Sequence, residues 1–236
     1  MNEADTAQQN AQMYTEYNAQ KGENRNSLLY NKQTVFQYLA QWQSKINALQ
    51  FISPDAKNAK VLDVGCGDGE SLLLYLQMGF DSANMHGIDI WDELIDSAKK
   101  RLPAIDFICG DASKTDFAEG TFDIVTESTM FLQITDNKLA KSIAQEMIRV
   151  LKPGGYLVIT DWTMDKRNGE YLAVNKKRVK YLFDVDVKTE LIKKYRGALV
   201  PPIGRLLSGK MPALYMPIKF IFPFLCGMKT YVLKKK

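Results

Sequence analysis

The spacing of apolar residues changes near Lys60. Before that point, apolar side chains recur at intervals of three, four and seven from Leu28 to Gln50, which predicts an amphipathic helix packed on a core. After it, short apolar runs alternate with stretches of helical periodicity as far as Trp162. Strands separated by helices of this length form right-handed crossovers. The pattern therefore predicts a parallel sheet covered by helices on both faces.

Five strands and three helices are predicted in this alternating region. The strands are "KVLDV", "MHGIDI", "IDFICG", "FDIVTES" and "YLVITDW", and the turn "KPGG" leads into the last one. The helices are "ESLLLYLQM", closed by Gly79, "DELIDSAKKRL", which stops before Pro103, and "DNKLAKSIAQEMIRVL", capped by Asp136. The fold class is a doubly wound, Rossmann-like α/β fold.

Beyond residue 162 the periodicity is weaker. "YLAVNKKRVKYLF" and "DVKTELIKKY" have helical spacing, and "MKTYVLKK" is typical of a final strand. Prolines and lysines interrupt the apolar stretch between them, so it lacks the run of about 20 apolar residues that crosses a membrane. We expect an N-terminal helical lid at 1–55, an α/β core at 56–165, and substrate-side helices with the last strand at 166–236.

Charge is distributed unevenly along the 236 residues. The net charge is +4, but residues 191–236 contain ten Lys and Arg and no Asp or Glu, so residues 1–190 carry −6. This basic end, rich in Phe, Leu and Met, suits an interfacial surface for anionic lipids. The alternatives are a segment that covers the core and a solvated tail. Three scattered cysteines without a CxxC pair and a polar start favour a cytoplasmic protein.

The stretch "VLDVGCGDGE" at 61–70 is the strongest functional signal. Ligands of open α/β sheets bind beyond the carboxyl ends of the strands, where this loop lies. The dinucleotide fingerprint GxGxxG would need glycine at position 70, where this chain has Glu70. The distinctive features are instead Asp63 inside the first strand, GxGxG at its end, and Asp89 at the end of the second strand.

These features resemble the class I S-adenosylmethionine-dependent methyltransferases over residues 60–162. "VLDVGCGDGE" resembles the first motif of that family, "GIDI" its ribose-binding strand end, and "CGDASKTDF" its adenine-binding stretch. "FDIVTES" and "LKPGGYLVITDW" resemble its fourth and fifth strands. The resemblance implies S-adenosyl-L-methionine as cofactor. A nicotinamide oxidoreductase is the rival, and Glu70 opposes it.

The resemblance also implies which residues contact the cofactor. Gly65 and Gly67 would let the backbone approach the methionyl part and ribose, Asp89 would accept the ribose hydroxyls, and Asp111 the adenine amine. Asp63 would face the amino group, or it caps the loop structurally; Asp111 is alternatively a turn residue. The remaining implied contacts are Cys66, Ile90, Ala112 and Glu127, with Tyr14, Tyr17 and Arg25 in a lid.

Methyl transfer to a hydroxyl needs alignment and a base. Glu127 and Asp161, at strand ends that face the site, are the candidate bases. The single histidine, His86, begins the second strand away from the loop and is predicted to be structural. No ligand cluster indicates a metal. The fourth strand continues as "TESTMFLQ" and lacks the [DNS]PP[YF] motif of enzymes that methylate base amines, which argues against a nucleic-acid substrate.

The outer segments, including "KGENRN", resemble methyltransferases associated with bacterial surface-polysaccharide (lipopolysaccharide O-antigen) assembly. That resemblance implies O-methylation of a sugar hydroxyl on a lipid-linked glycan, with the basic end in peripheral contact with the inner face of an anionic membrane. Two alternatives stay open: methylation of a lipid or quinone-like small molecule, and a non-catalytic subunit that binds the cofactor. No sequence feature specifies an oligomeric state.

Overall fold

The computed structural model describes residues 27–165 and 171–236. Seven strands lie in these ranges: β1 Val61–Val64, β2 Met85–Asp89, β3 Asp106–Cys109, β4 Phe122–Ser128, β5 Leu151–Trp162, β6 Thr189–Arg196 and β7 Met228–Lys235. Seven α-helices accompany them: α1 Lys32–Ile52, α2 Glu70–Gln77, α3 Asp92–Arg101, α4 Asn137–Val150, α5 Lys176–Leu182, α6 Pro201–Lys210 and α7 Pro212–Ile221. Two short 3₁₀ turns span Ser82–Asn84 and Pro223–Leu225.

The strands form one sheet in the order β3-β2-β1-β4-β5-β7-β6. The first five are parallel, as the alternating pattern predicts, whereas β7 runs antiparallel between β5 and β6. The doubly wound α/β class is confirmed, with a mixed rather than purely parallel sheet. Because Trp162 at the end of β5 pairs with Met228 at the start of β7, both lie at the edge where the glycine loop leaves β1.

Helices cover both faces of the sheet. One core contains apolar residues of α4 and α5, and it takes Leu62 and Val64 from β1. The opposite core contains residues of α1, α2 and α3, and it takes Val61. Successive side chains of a strand point to opposite faces of the sheet, so Asp63 points to the same face as Val61, the one that α1 covers. Asp136 caps α4 by accepting a hydrogen bond from the backbone N–H of Lys138, as predicted.

Helix α1 is confirmed, but its buried stripe differs from the predicted one. The helix begins at Lys32 rather than Leu28, and Leu39 is 46% exposed. The side chains of Ala40, Ser44 and Ala48 are buried instead. These small residues, four apart, lie on one side of the helix and allow its backbone to approach the sheet closely.

The helix predicted at "DVKTELIKKY" is wrong, because β6 occupies most of that stretch. Leu191 and Tyr195 have helical spacing, but this segment pairs with β7, and the ladder hydrogen bonds outweigh local propensity. The helix predicted at "YLAVNKKRVKYLF" starts late, at Lys176, where Asn175 caps it. The segment before it is not helical: the N–H of Val174 donates to the carbonyl of Trp162.

The proline-containing stretch between β6 and β7 forms the helices α6 and α7. They enclose a third apolar cluster with α1, in which Leu207 and Tyr215 are buried. Trp162 packs against this cluster from the end of β5, so the two helices lie at the carboxyl edge of the parallel strands. Among the described residues, no helix is both long and apolar enough to span a bilayer.

Candidate functional site

The glycine loop turns sharply after β1. Gly65, Gly67 and Gly69 have φ values of +69°, +53° and +79°, a region that other residues adopt at a cost. The backbone N–H groups of Gly65 and Cys66 both donate to the carbonyl of Ile88, at 2.8 and 3.1 Å. The loop is therefore fixed to β2 by its own backbone.

Asp89 closes the loop from the end of β2. Its Oδ2 accepts a hydrogen bond of 2.8 Å from the N–H of Gly67, and its Oδ1 accepts one of 3.2 Å from the N–H of Trp91. Burial raises the pKa of this half-buried carboxyl, and the two N–H donors oppose the rise. Each oxygen keeps a further lone pair for a ligand hydroxyl.

Two predicted contacts of this loop differ in exposure. The side chain of Cys66 is buried, and a Cβ on Gly87 would lie 2.8 Å from its Sγ. Burial also raises the pKa of the Cys66 thiol. This thiol therefore packs inward, against β2, and a contact of residue 66 with the cofactor stays a prediction. Ile90, which follows β2, is 44% exposed.

Asp111 and Ala112 follow β3 at the same edge. The Oδ1 of Asp111 accepts a hydrogen bond of 2.8 Å from the N–H of Ser113, which is the geometry of a turn-forming aspartate. The side chain of Asp111 is exposed, whereas Ala112 packs against the core. A contact with adenine stays a prediction for both residues.

Asp63 shares a buried environment with a lysine that the sequence analysis did not identify. Asp63 is 1% exposed, and no described residue donates a hydrogen bond to its Oδ2. Lys45 of α1 is 2% exposed, and its Nζ donates to the Oγ of Ser71 at 2.5 Å. Burial raises the pKa of Asp63 to about 7, and the Lys45 ammonium opposes the rise. Burial lowers the pKa of Lys45, against the attraction of Asp63 and Glu127.

Glu127 lies near the end of β4, opposite Val64 of β1. It is fully buried; its Oε2 accepts a hydrogen bond of 3.1 Å from the N–H of Met130, and its Oε1 has no partner among the described residues. Burial, followed by the negative charge of Asp161, raises the pKa of Glu127 well above its ordinary value. The side chain of Met130 lies over Gly65, where the Cγ is 2.7 Å from the position that a Cβ would occupy.

Asp161 occupies a different environment, in which both carboxylate oxygens are engaged. Its Oδ1 accepts from the N–H of Trp162 at 2.7 Å, and its Oδ2 accepts from the N–H of Leu132 at 2.8 Å. Burial raises the pKa of Asp161 to about 7, while these N–H donors and the Arg178 guanidinium lower it. Asp161 thus fixes the segment after β4, and Glu127 is the better candidate base.

Arg178 and an aromatic pair on α1 were also not predicted from the sequence. The Arg178 guanidinium donates to the carbonyls of Phe131 and Ile134, at 2.9 and 2.5 Å, and so holds the segment after β4. The ring centroids of Tyr38 and Trp42 lie 4.8 Å apart. Burial, followed by the negative charge of Glu70 at the start of α2 and a side-chain hydrogen bond to it, raises the pKa of Tyr38.

Two sets of predicted residues lie apart from this arrangement. His86 begins β2, away from the loop, where its Nδ1 lies 3.1 Å from the Oδ2 of Asp106, as expected for a structural residue. Tyr14, Tyr17 and Arg25, the predicted lid residues, lie outside the described residues.

Comparison with known proteins identifies the central domain. Residues 61–155 match a family model described as a methyltransferase domain. The central part of this chain is therefore similar to a methyltransferase domain. Its fold agrees with two solved structures: one from Pyrococcus horikoshii OT3 (TM-score 0.57, 20% identity, 83% of this chain and 91% of that one), and an S-adenosylmethionine dependent methyltransferase from Mesorhizobium loti (TM-score 0.56, 13% identity, 82% and 98%).

Curated relatives share the methyltransferase domain at higher identity. A demethylmenaquinone methyltransferase of Renibacterium salmoninarum is 39% identical over 104 residues, which cover 44% of this chain and 41% of the relative. A 2-methyl-6-phytyl-1,4-hydroquinone methyltransferase of Synechocystis is 34% identical over 141 residues, 58% of this chain and 40% of the relative. The chain thus spans less than half of the length of either relative.

The cofactor of the methyltransferase domain is S-adenosylmethionine, and the site fits it. The positive φ angles of Gly65 and Gly67 leave a backbone that a ligand can approach. Asp63 and Glu127 each present a buried carboxylate oxygen with no partner among the described residues. Burial raises the pKa of both carboxyl groups, so a cationic ligand placed between them would stabilise their ionised forms.

Proposed function

We propose that this protein transfers a methyl group from S-adenosylmethionine to a small apolar acceptor of the quinone or hydroquinone class. The observation that carries the proposal is the similarity of the methyltransferase domain to two enzymes whose names specify menaquinone precursors and a phytyl hydroquinone. The exposed apolar residues beside the carboxyl edge of the sheet, including Phe220 and Phe224, support an apolar acceptor.

The carboxylates at the sheet edge would have different roles in binding and in proton transfer. When bound, S-adenosylmethionine supplies a methyl group on a cationic sulfur. Asp89 would hold the ribose hydroxyls, while Gly65 and Gly67 would let the backbone approach the cofactor. Asp63 would face the cationic end. The assignments of Cys66, Ile90, Asp111 and Ala112 as further contacts, and of Tyr14, Tyr17 and Arg25 as a lid, belong to the same proposal.

Glu127 is the group that we assign as the base. Glu127 would remove a phenolic proton and so make a ring carbon of the hydroquinone nucleophilic. The carbon–methyl bond would form as the methyl–sulfur bond breaks, and the same ring carbon would then lose its own proton to restore the aromatic ring. A base works best when its pKa lies near the operating pH, and burial raises the pKa of Glu127 in that direction. Its Oε1 has no hydrogen-bond partner among the described residues and so has the capacity to accept a proton. Asp161, with both oxygens bound to N–H groups, would act by positioning.

The outer segments complete this proposal. We assign 1–55 to a lid, 56–165 to the cofactor-binding core and 166–236 to the acceptor side, with peripheral contact between the basic end and an anionic membrane. Sugar O-methylation on a lipid-linked glycan has no counterpart in the names of the two relatives, so it becomes the competing outcome of the test. A cofactor-binding subunit without turnover is the other.

The test is a transfer assay with purified full-length protein. Prenylated naphthohydroquinone, prenylated benzohydroquinone and a lipid-linked oligosaccharide would each be incubated with S-adenosylmethionine, and mass spectrometry would locate any added methyl group. We expect methylation of a hydroquinone ring carbon. Methylation of the oligosaccharide alone would overturn the proposal in favour of the glycan. Cofactor binding without turnover on any acceptor would favour the non-catalytic subunit.

Glu127→Gln tests the proposed base separately. The variant should lose at least about a hundredfold in turnover, the typical contribution of a positioned base. Because Glu127 is also a predicted cofactor contact, turnover is measured at saturating S-adenosylmethionine, and calorimetry measures any change in cofactor affinity separately. Glu119→Gln, at an exposed position, is the matched control. Equal turnover by the two variants would remove Glu127 from the base role.

A further inference from the structure

Two segments that lie far apart in the sequence pack together and share a lack of acidic residues. Residues 27–54 and 191–236 contain twelve Lys and Arg and no Asp or Glu. We call these two ranges the acid-free layer. In the structure, α1 from the first range packs against α6, β6 and β7 from the second. The two acid-free ranges of the sequence therefore form one continuous region of the molecule.

Side chains of α1 hold α6 and α7 in place. The hydroxyl of Ser208 on α6 donates to the carbonyl of Lys32 at 2.5 Å and accepts from the N–H of Phe36 at 3.1 Å. It thus bridges two backbone groups in the first turn of α1. The hydroxyl of Tyr215 on α7 donates to Gln37, and the Nζ of Lys219 donates to Gln43 at 3.1 Å. The two helices are thus anchored by their inner faces.

The outer face of these helices is apolar. Of the 17 large hydrophobic side chains that are exposed among the described residues, 12 belong to the acid-free layer. Four of them cluster at the end of α7 and the turn after it: Phe220 is 82% exposed, Ile221 62%, Phe222 42% and Phe224 77%. Such a concentration of exposed aromatic and aliphatic side chains marks an interaction surface.

We propose that this surface docks onto an anionic lipid bilayer, with residues 220–224 inserted at the boundary between headgroups and acyl chains. Exposed Phe and Ile next to lysines, with no acidic residue in the layer, match the composition of helices that lie in a membrane interface. Negative lipid headgroups complement the positive charge that the layer carries, among it the exposed Lys210. A protein partner or a second copy of this chain are the outcomes that the test must distinguish.

The docked orientation brings the bilayer to the site. The α6–α7 pair packs on Trp162 at the carboxyl end of β5, and α1 reaches the end of β4 through a hydrogen bond of 2.9 Å from Gln41 to Ser128. An apolar acceptor would pass from the lipid to this edge without crossing water. The inference deepens the proposed function, because it identifies the phase that supplies the acceptor, but docking itself requires neither cofactor nor turnover.

The test is sedimentation of full-length protein with vesicles, without cofactor or acceptor. Vesicles of phosphatidylcholine alone would be compared with vesicles containing about one third phosphatidylglycerol, at low and high salt. We expect binding to the anionic vesicles at low salt and a decrease as salt rises. Replacing Phe220 and Phe224 with Ser should weaken binding at least about tenfold, because both side chains lose apolar contact with the bilayer. Lys210→Gln should weaken it about fivefold.

Tyr181→Ser with Val187→Ser is the matched control. These two side chains are 51% and 75% exposed and lie outside the acid-free layer, so their removal should leave vesicle binding unchanged. Absence of binding at low salt, or an equal loss in both double variants, would overturn the inference.

Size-exclusion chromatography of the parent and of the variant that lacks Phe220 and Phe224 would show whether a second copy covers the surface instead. A dimer that becomes a monomer in the variant, without vesicle binding by the parent, would overturn docking. Because the transfer assay contains no vesicles and the sedimentation contains neither cofactor nor acceptor, each proposal can fail while the other stands.

Discussion

The Nζ of Lys45 and the Oγ of Ser71 lie 2.5 Å apart inside the molecule and join α1 to the start of α2. Lys45 is almost fully buried, and the carboxylates of Asp63 and Glu127 attract its charge. A buried ammonium is costly unless opposite charge compensates it. Lys45 therefore connects a helix outside the matched methyltransferase domain to the two carboxylates that we assign to cofactor and acceptor.

Lys45→Met should destabilise the protein, more at pH 8 than at pH 5.5. At pH 8 the Asp63 carboxyl, with its pKa of about 7, is ionised, and the variant leaves this buried charge without its lysine. Removing one partner of a buried ion pair costs about 3–5 kcal/mol. At pH 5.5 the carboxyl is protonated, so the loss is smaller. Urea unfolding at both pH values measures the difference. The control is Lys32→Met, at an exposed position on the same helix, and equal losses at the two pH values would contradict the prediction.

Asp63→Asn should change how stability depends on pH. The folded-state pKa of about 7 exceeds the ordinary value of 3.8, so the native state binds this proton more tightly than the unfolded chain does. The group then stabilises the protein at low pH, and this contribution is lost as pH rises from about 4 to about 7. Each pKa unit corresponds to about 1.4 kcal/mol, so the change reaches a few kcal/mol.

Asparagine cannot titrate, so the stability of Asp63→Asn relative to the parent should increase over that interval and stay constant above it. The free energy of unfolding, measured in urea at half-unit steps of pH, gives the difference directly. Asp92→Asn, on the exposed first turn of α3, serves as the control. A difference that does not vary with pH would show that Asp63 titrates alike in the folded and unfolded chain.

The sequence was sufficient for the parallel part of the sheet, because the strands there are short apolar runs and helices separate all of them except β3 and β4. It failed at β6, where Leu191 and Tyr195 have helical spacing and pairing with a distant strand decides the structure. It also misjudged the buried stripe of α1, since Ala and Ser are weak hydrophobic signals. A stripe of small residues four apart was the sign of a close helix–sheet contact.

The candidate site was predictable where a motif marks it. Asp63, Gly65, Gly67 and Asp89 were identified from one loop and one strand end, and the structure brings them to the same edge of the sheet. Lys45 and Arg178 were missed because no local pattern distinguishes a buried cation from an exposed one. Whether such a residue is buried depends on which helix packs on which face of the sheet, and tertiary packing determines this.

Asp89→Ala should weaken binding of S-adenosylmethionine about 10- to 100-fold. The variant removes an acceptor for ligand hydroxyls, and hydrogen bonds to charged groups contribute about 1.5–3 kcal/mol. It also leaves the N–H of Gly67 without its acceptor, so the loop loses its closure. Asp89→Asn keeps an oxygen at this position and should give an intermediate loss. Calorimetry measures both, with Asp92→Ala as control, and a folded Asp89→Ala variant of unchanged affinity would exclude this residue from the site.

Gly65→Ala should destabilise the protein by about 1–3 kcal/mol, because a non-glycine residue at φ +69° is strained and its Cβ would overlap Met130. The two causes can be separated with Met130→Ala. Alanine keeps the Cβ of residue 130, which itself lies 2.9 Å from the new atom, but it removes the Cγ and Sδ at 2.7 and 2.8 Å. Gly65→Ala should therefore cost less stability in the Met130→Ala background than in the parent. A part of the cost should remain, because the backbone strain persists. Thermal unfolding of the four proteins forms a double-mutant cycle. Strictly additive losses would show that Met130 moves aside without cost, and that backbone conformation alone requires glycine at this position.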